Sequence, residues 1–197
     1  RSHEGKGGGN IADALATGLL LSWTIMFARV IVEVAVVNPE MLGAVIVPMV
    51  VMGLICLGCS MVFYRRSLGA TQTGSVTGEV PLKNPFSLTS AIKFALLFAV
   101  VLLVVKQVEK NLPQQGLYIV AALAGLTDVD AITLSLASQA KSTIEPQVAV
   151  CGITVAVLAN TLLKSGMVAV LATTDLRNRT LLAAAVILAG GIVSLLL

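Results

Sequence analysis

Residues 116–139 read GLYIVAALAGLTDVDAITLSLASQ. The stretch is long enough to cross a bilayer as a helix, which takes about 20 mostly apolar residues. Its two carboxylates, Asp128 and Asp130, fall in the middle. A charge at the bilayer centre costs at least about 2.5 kcal/mol, so each acid needs a reason to be there. Thr127, followed three residues later by Asp130, reads as a capping-box variant with Asp in place of Glu. The reading predicts two half-helices, roughly Gly116–Gly125 and Asp128–Gln139, broken at mid-membrane. Acids at i and i+2 point to different faces of a regular helix, so these two do not naturally share one ligand. Either both merely cap the second half-helix and complement its dipole, or the break forms a cation or proton site from carbonyls and a carboxylate.

The rest of the chain has the same membrane character. Of 197 residues, 57% are hydrophobic and 12% charged, with mean hydropathy +0.96. Soluble domains carry about 25% charged residues, so this chain cannot cover a water-facing surface. Apolar blocks run Ile11–Val37, Met41–Tyr64, Phe86–Val108, Gly116–Gln139, Pro146–Ala172 and Thr180–Leu197. They are too long and continuous for barrel strands, and unpaired backbone cannot face lipid. The fold class is therefore all-α, a polytopic transmembrane bundle of about six helices with the fourth discontinuous.

The organisation follows from the breaks. Arg1 to Asn10 form a polar, Gly-rich tail that lacks the apolar core and cleavage site of a signal peptide. With no initiator Met, the chain reads as a fragment or a processed product. Residues 11–64 form a helix pair, 65–85 a polar Gly/Ser/Thr-rich linker, and 86–197 a four-helix group. Asn38-Pro39, Asn111-Leu112-Pro113 and Glu145-Pro146 are stop or start signals. If every block crosses, Arg1, Lys6, Arg65, Arg66, Lys83 and Lys141 share one side, and Lys106, Lys110, Arg177 and Arg179 the other. The weak bias places the N-terminus and linker in the cytoplasm, with Ser75 and Asn178 on opposite sides.

The net charge of +3 comes without a basic patch interleaved with aromatics, so nucleic acid is not an expected partner. Cys56, Cys59 and Cys151 lie inside apolar blocks, and the single histidine is His3. They read as small buried hydrophobes rather than a zinc site, and no cofactor is expected.

Ionisable residues inside the blocks are Arg29, Glu33, Lys93, Asp128, Asp130 and Lys164. Arg29 and Glu33, four apart, can form a structural ion pair. Lys93 lies near a block end and can snorkel. Lys164 is one turn from Asn160, with Thr161 beside them, and suits an ion pair with an acid on another helix; helix-packing glue is the alternative. Arg29 and Lys164 each sit deep in an apolar run followed by a turn and another helix, a faint internal repeat.

Several of these stretches carry a resemblance. Leu82-Lys83-Asn84-Pro85-Phe86 with Ala91 and Phe94, Gly116-Leu117-Tyr118, Gly125 through Thr133, Ala159 through Lys164, and Met26 to Arg29 resemble the C-terminal part of a bacterial membrane-domain family of unknown function. Its members are found fused to MgtC/SapB-type domains. The resemblance implies an inner (plasma) membrane location. It also implies that the first two helices here are the tail of a first repeat, whose earlier helices and MgtC-like domain are missing partners. It supplies no substrate, and the MgtC association only points toward cation physiology.

The expected function is a transporter or channel for a small cation, proton coupling included, with Asp128 as ligand or proton carrier and the metal-binding position. Asp130 and Thr127 would shape the break, and Asn160 and Lys164 would line it. The expected partners are the lipid bilayer, the cation, and either a second copy of the chain or the missing segments. The alternative is a non-transporting scaffold or regulatory module. Gly-Leu-Thr-Asp also resembles the aspartate motif of intramembrane aspartyl proteases. That chemistry needs a second aspartate sharing the proton, and Asp13 and Asp175 lie near block ends. An enzyme is not expected.

Overall fold

The computed structural model describes residues 4–71, 92 and 116–196, with side chains over 11–68, 92 and 116–195. The block Phe86–Val108, with Lys93, and most of the Arg65–Pro85 linker lie outside the described residues. The described part is helical: α1 (Glu4–Val37), a 3-10 turn (Pro39–Met41), α2 (Leu42–Thr71), α3 (Leu117–Thr127), α4 (Val129–Gln139), α5 (Pro146–Leu171) and α6 (Thr174–Leu196). Four of them contain runs long and apolar enough to cross a membrane: Ile11–Val37, Pro39–Leu68, Pro146–Leu171 and Thr174–Leu195. Helices extend past the expected blocks at several points. α1 begins inside the polar tail, α2 carries Arg65 to Thr71 as helix rather than linker, and α6 starts before Thr180.

α1 stops where Asn38-Pro39 forbids another helical turn, and the 3-10 turn sends α2 back along it. Leu20, Trp23, Phe27, Val30 and Val34 of α1 are buried, as are Val45, Met49, Met52, Cys56 and Phe63 of α2. These spacings of three, four and seven residues make one seam on each helix. Cys56 Sγ donates to the Leu20 carbonyl at 3.1 Å and Ser60 Oγ to the Thr17 carbonyl at 3.2 Å. Cys56, Cys59 and Cys151 are all unbridged. Ile25, Val32, Val36, Leu54, Val170 and Leu182 are exposed, the outward face expected of a bundle solvated by lipid.

The fourth block is discontinuous, as its sequence predicts, but it does not cross. A methyl group built on Gly152 of α5 would lie 2.9 Å from Leu136 Cδ1 and 3.8 Å from Ala121 Cβ. A helix running straight from Ala121 to Leu136 would separate them by about 22 Å. Ala121 and Leu136 therefore meet the same turn of α5, and α3 and α4 form a hairpin with its tip at Asp128. Each arm has 11 residues, about 16 Å, or half the hydrocarbon thickness. The hairpin is re-entrant: it enters from one end of the bundle and leaves by the same end.

The ends can be assigned from contacts. Asp13 near the start of α1 pairs with Arg179 near the start of α6, at what we term the first end. Asn38, after α1, donates from Nδ2 to the Ala137 carbonyl near the end of α4 at 3.1 Å, at the second end. The hairpin thus opens at the second end, α5 starts there, and α6 starts at the first end beside the end of α2. The expectation of alternating crossings through the fourth block, with Asn178 opposite the linker, is corrected for the described start of the linker, residues 65–71, while Ser75 lies outside the described residues. Among the described helix ends, Arg65, Arg66, Arg177 and Arg179 gather at the first end and Lys141 stands at the second. The cations at these described ends are therefore unevenly shared between the two.

The corrected topology makes a prediction. Cysteines replacing Leu68 and Asn178, both exposed, should react with an impermeant maleimide from the same side, and one replacing Lys141 from the other. Opposite sidedness of the first two would overturn the re-entrant hairpin.

Candidate functional site at the hairpin tip

The break is a single residue. Asp128 is extended (φ −153°, ψ 103°) between two helices. It is the N-cap of α4: its Oδ1 accepts from the backbone N–H groups of Asp130 at 3.0 Å and Ala131 at 3.2 Å. The predicted capping box centred on Thr127 is therefore corrected by one residue. Thr127 is the last residue of α3, and its Oγ1 donates back to the Ala124 carbonyl at 2.8 Å. A hydroxyl can serve the preceding turn in this way without leaving the helix. A carboxylate is the better cap, because it also complements the positive end of α4.

The opposite half of the break is satisfied from α5. Asn160 donates from Nδ2 to the Gly125 carbonyl at 2.8 Å. That bond fixes the amide, since a carbonyl needs a donor, and so directs Asn160 Oδ1 elsewhere. Asn160 is 8% exposed, and Oδ1 is buried with no partner among the described atoms. The close approach needs Gly125, because a Cβ there would lie 2.6 Å from Ala156 Cα and 2.8 Å from its carbonyl carbon.

Asp130 points away from the cap, and its Oδ2 takes a charge-assisted hydrogen bond from Arg29 Nη2 on α1. Arg29 also faces Glu33 one turn along, at 3.9 Å. The expected Arg29–Glu33 pair is thus present as the looser of two contacts, and Asp130 is the closer partner. Lys164 reaches α1 as well, but the bond described for its Nζ is to Met26 Sδ at 3.0 Å, not to an acid.

These groups surround a cavity of about 390 Å³. Thr127, Asp128 and Asp130 form its floor at the hairpin tip, Arg29, Met26 and Ser22 one wall, and Asn160 and Lys164 the other. All five residues singled out as an ion-binding set therefore share one cavity. Arg29 joins them, while Glu33 does not line it. An apolar cavity of about 320 Å³, lined by Leu19, Trp23, Lys164, Met167, Leu171 and Leu176 among others, lies between Lys164 and the first end. The pairing of Arg29 with Asp130 links residues 101 apart in sequence; the only sequence signal for it is the equal number of intramembrane acids and bases. Among the described residues, no three His, Cys, Asp or Glu side chains gather to hold a metal. Asp128 and Asp130 are the two carboxylates that line this cavity.

Fold and site together define a polytopic membrane protein with a re-entrant helical hairpin tipped by charged residues. The chain belongs to the family described as Domain of unknown function (DUF4010), which matches residues 2–172. It is similar to an uncharacterized protein of Aquifex aeolicus (strain VF5), 31% identical over 149 residues covering 75% of this chain and 64% of that protein. The chain thus spans somewhat less than two thirds of that relative's length. No solved structure matches it.

Proposed function

We propose that this protein transports or conducts a small cation, with its site between the hairpin tip and α5. The observation that supports the reading best is the hairpin itself. Non-helical backbone at membrane depth is tolerated where it lines a cavity or is buried in protein, and discontinuous helices of this kind commonly build midplane ion sites in transporters. Here the tip brings Asp128 and Asp130 to a polar cavity facing Asn160 and Lys164. A scaffold would need only the internal bonds, and the Arg29–Asp130 pair is the feature that favours that second reading.

The proposal includes a location in a bacterial inner membrane with the first end cytoplasmic, no catalytic role, and completion by a second copy or by the helices and MgtC-like domain that the resemblance implies. Flux into proteoliposomes over a panel of monovalent and divalent cations, with and without a proton gradient, tests it. Cation-dependent flux above protein-free vesicles is the expected result. Absence of flux for every cation, with correctly inserted protein, would leave the scaffold reading in its place.

A further inference from the structure

We infer that Glu33 and Asp130 hold one proton between them beside Arg29, forming a proton-binding site separate from Asp128. It goes beyond the transport reading, since a transporter and a scaffold would carry it alike.

The charges at this point do not match. Arg29 Nη2 meets Asp130 Oδ2 closely and Glu33 Oε1 at 3.9 Å. Both oxygens meet the same nitrogen, so the two carboxyl groups stand no farther apart than the sum of these contacts. Asp130 is also the side chain in hydrogen-bonding contact with Glu33. One guanidinium, which cannot be deprotonated in a protein, therefore serves two acids. Asp130 takes its close contact, and 3.9 Å is beyond hydrogen-bond length. Glu33 is thus left without a hydrogen bond from Arg29. Its side chain is 17% exposed, and its Oε2 is buried and receives a hydrogen bond from no described donor.

The surroundings do not repair the mismatch. The ionisable groups that act on Glu33 are Arg29 on its own helix and Asp128 and Asp130 on α4; none is on α2, on α6 or in the 3-10 turn. Asp128 adds a further negative charge. Lys164 of α5 acts on Asp130 and Arg29, while the bond described for its Nζ goes to Met26.

One proton resolves the contact. Carboxylates only accept hydrogen bonds, so two of them in contact repel, and a proton on one turns the contact into an O–H···O bond. It also removes a poorly paired charge from a setting where such charge is expensive. On release, the O–H bond breaks, the electron pair stays on oxygen and the proton passes to water. Glu33 lies one turn before the end of α1, so the second end is the nearer source of that water. The pair then carries two negative charges against one positive. Asp130 also lines the cavity, so the change is felt at the cavity wall, where it favours entry of a cation.

Infrared spectroscopy of the full chain, reconstituted in phosphatidylcholine vesicles without added metal salts, tests the site. The carbonyl band of a protonated carboxyl is absent from a carboxylate. Wild-type protein should show this band for one carboxyl per chain at neutral pH, where an exposed Glu, titrating at about 4.3, is ionised. Glu33→Gln has the size of the neutral acid and an N–H to offer Asp130, so it should fold and lose the band. Asp130→Asn should lose it too, because Glu33 alone can then pair with Arg29 as a carboxylate. Where Asp130→Asn does not fold, the wild type and Glu33→Gln still decide. No band in the wild type, or a band that survives Glu33→Gln, would overturn the site. A band that survives Asp130→Asn would overturn the sharing, because burial alone would then protonate Glu33. Absence of flux for every cation would sink the transport reading and leave this site standing.

Discussion

Asp128→Asn should fold, insert and unfold at nearly the wild-type temperature, yet lose cation flux. Asparagine keeps the side-chain oxygen that accepts from the Asp130 and Ala131 N–H groups, and Asn and Asp are near-equivalent N-caps. The hairpin tip therefore keeps its shape. What disappears is the negative charge on the oxygen not used in capping. With it should go stabilisation by the transported cation and at least about tenfold of its affinity, equivalent to about 1.4 kcal/mol. Asp128→Ala is the informative companion, since it also removes the cap and should lower stability by about 1 kcal/mol. Thermal unfolding with and without each cation of the flux panel, alongside proteoliposome flux, reads all three proteins. Full flux in a folded Asp128→Asn protein would remove Asp128 from the mechanism.

The second large effect is expected at Gly125. Valine there would have to pass through the Ala156 backbone, and a main chain cannot swing aside as a side-chain tip can. α3 would be levered off α5, and the Asn160 bond to the Gly125 carbonyl would break. Overpacking of this kind costs about 3 kcal/mol, and the stranded polar groups add about 1–3 kcal/mol. Gly125→Val should therefore yield mostly aggregated or degraded protein in size-exclusion chromatography. Gly18→Val and Gly58→Val are the controls, because nothing lies within 4 Å of a Cβ at either position. Equal yield and melting temperature for Gly125→Val and these controls would contradict the packing.

The spans were legible because a membrane helix writes itself as a long apolar run, and the break because Thr-Asp-Val-Asp interrupts such a run. What came after the break was not legible. A helix that pauses and continues and one that doubles back share the same local pattern. The deciding contacts, Gly125 on Ala156 and Gly152 against both Ala121 and Leu136, pair glycines with partners on other helices, and no periodicity reveals them. The same limit explains the site. The i,i+4 relation of Arg29 and Glu33 is visible in the sequence, so it drew the pairing, while Asp130 was hidden by distance along the chain. The cap moved by one residue because Thr and Asp are both good N-caps, and only the backbone at Asp128 chooses between them. Asn160 and Lys164 line one cavity, as residues one helical turn apart on a common face can.

The hairpin also constrains how the protein is made. Its tip carries two carboxylates and a backbone break that lipid alone cannot satisfy. The carbonyl of Gly125 waits for Asn160, which lies 35 residues further along the chain. Synthesis delivers α3 and α4 before α5, so the arms cannot settle at their final depth as they emerge. They must remain near the second end until α5 has been threaded and offers Ala156 and Asn160 as a seat. The expected order of insertion therefore departs from that of translation, with α5 crossing first and the hairpin that precedes it in sequence seated afterwards.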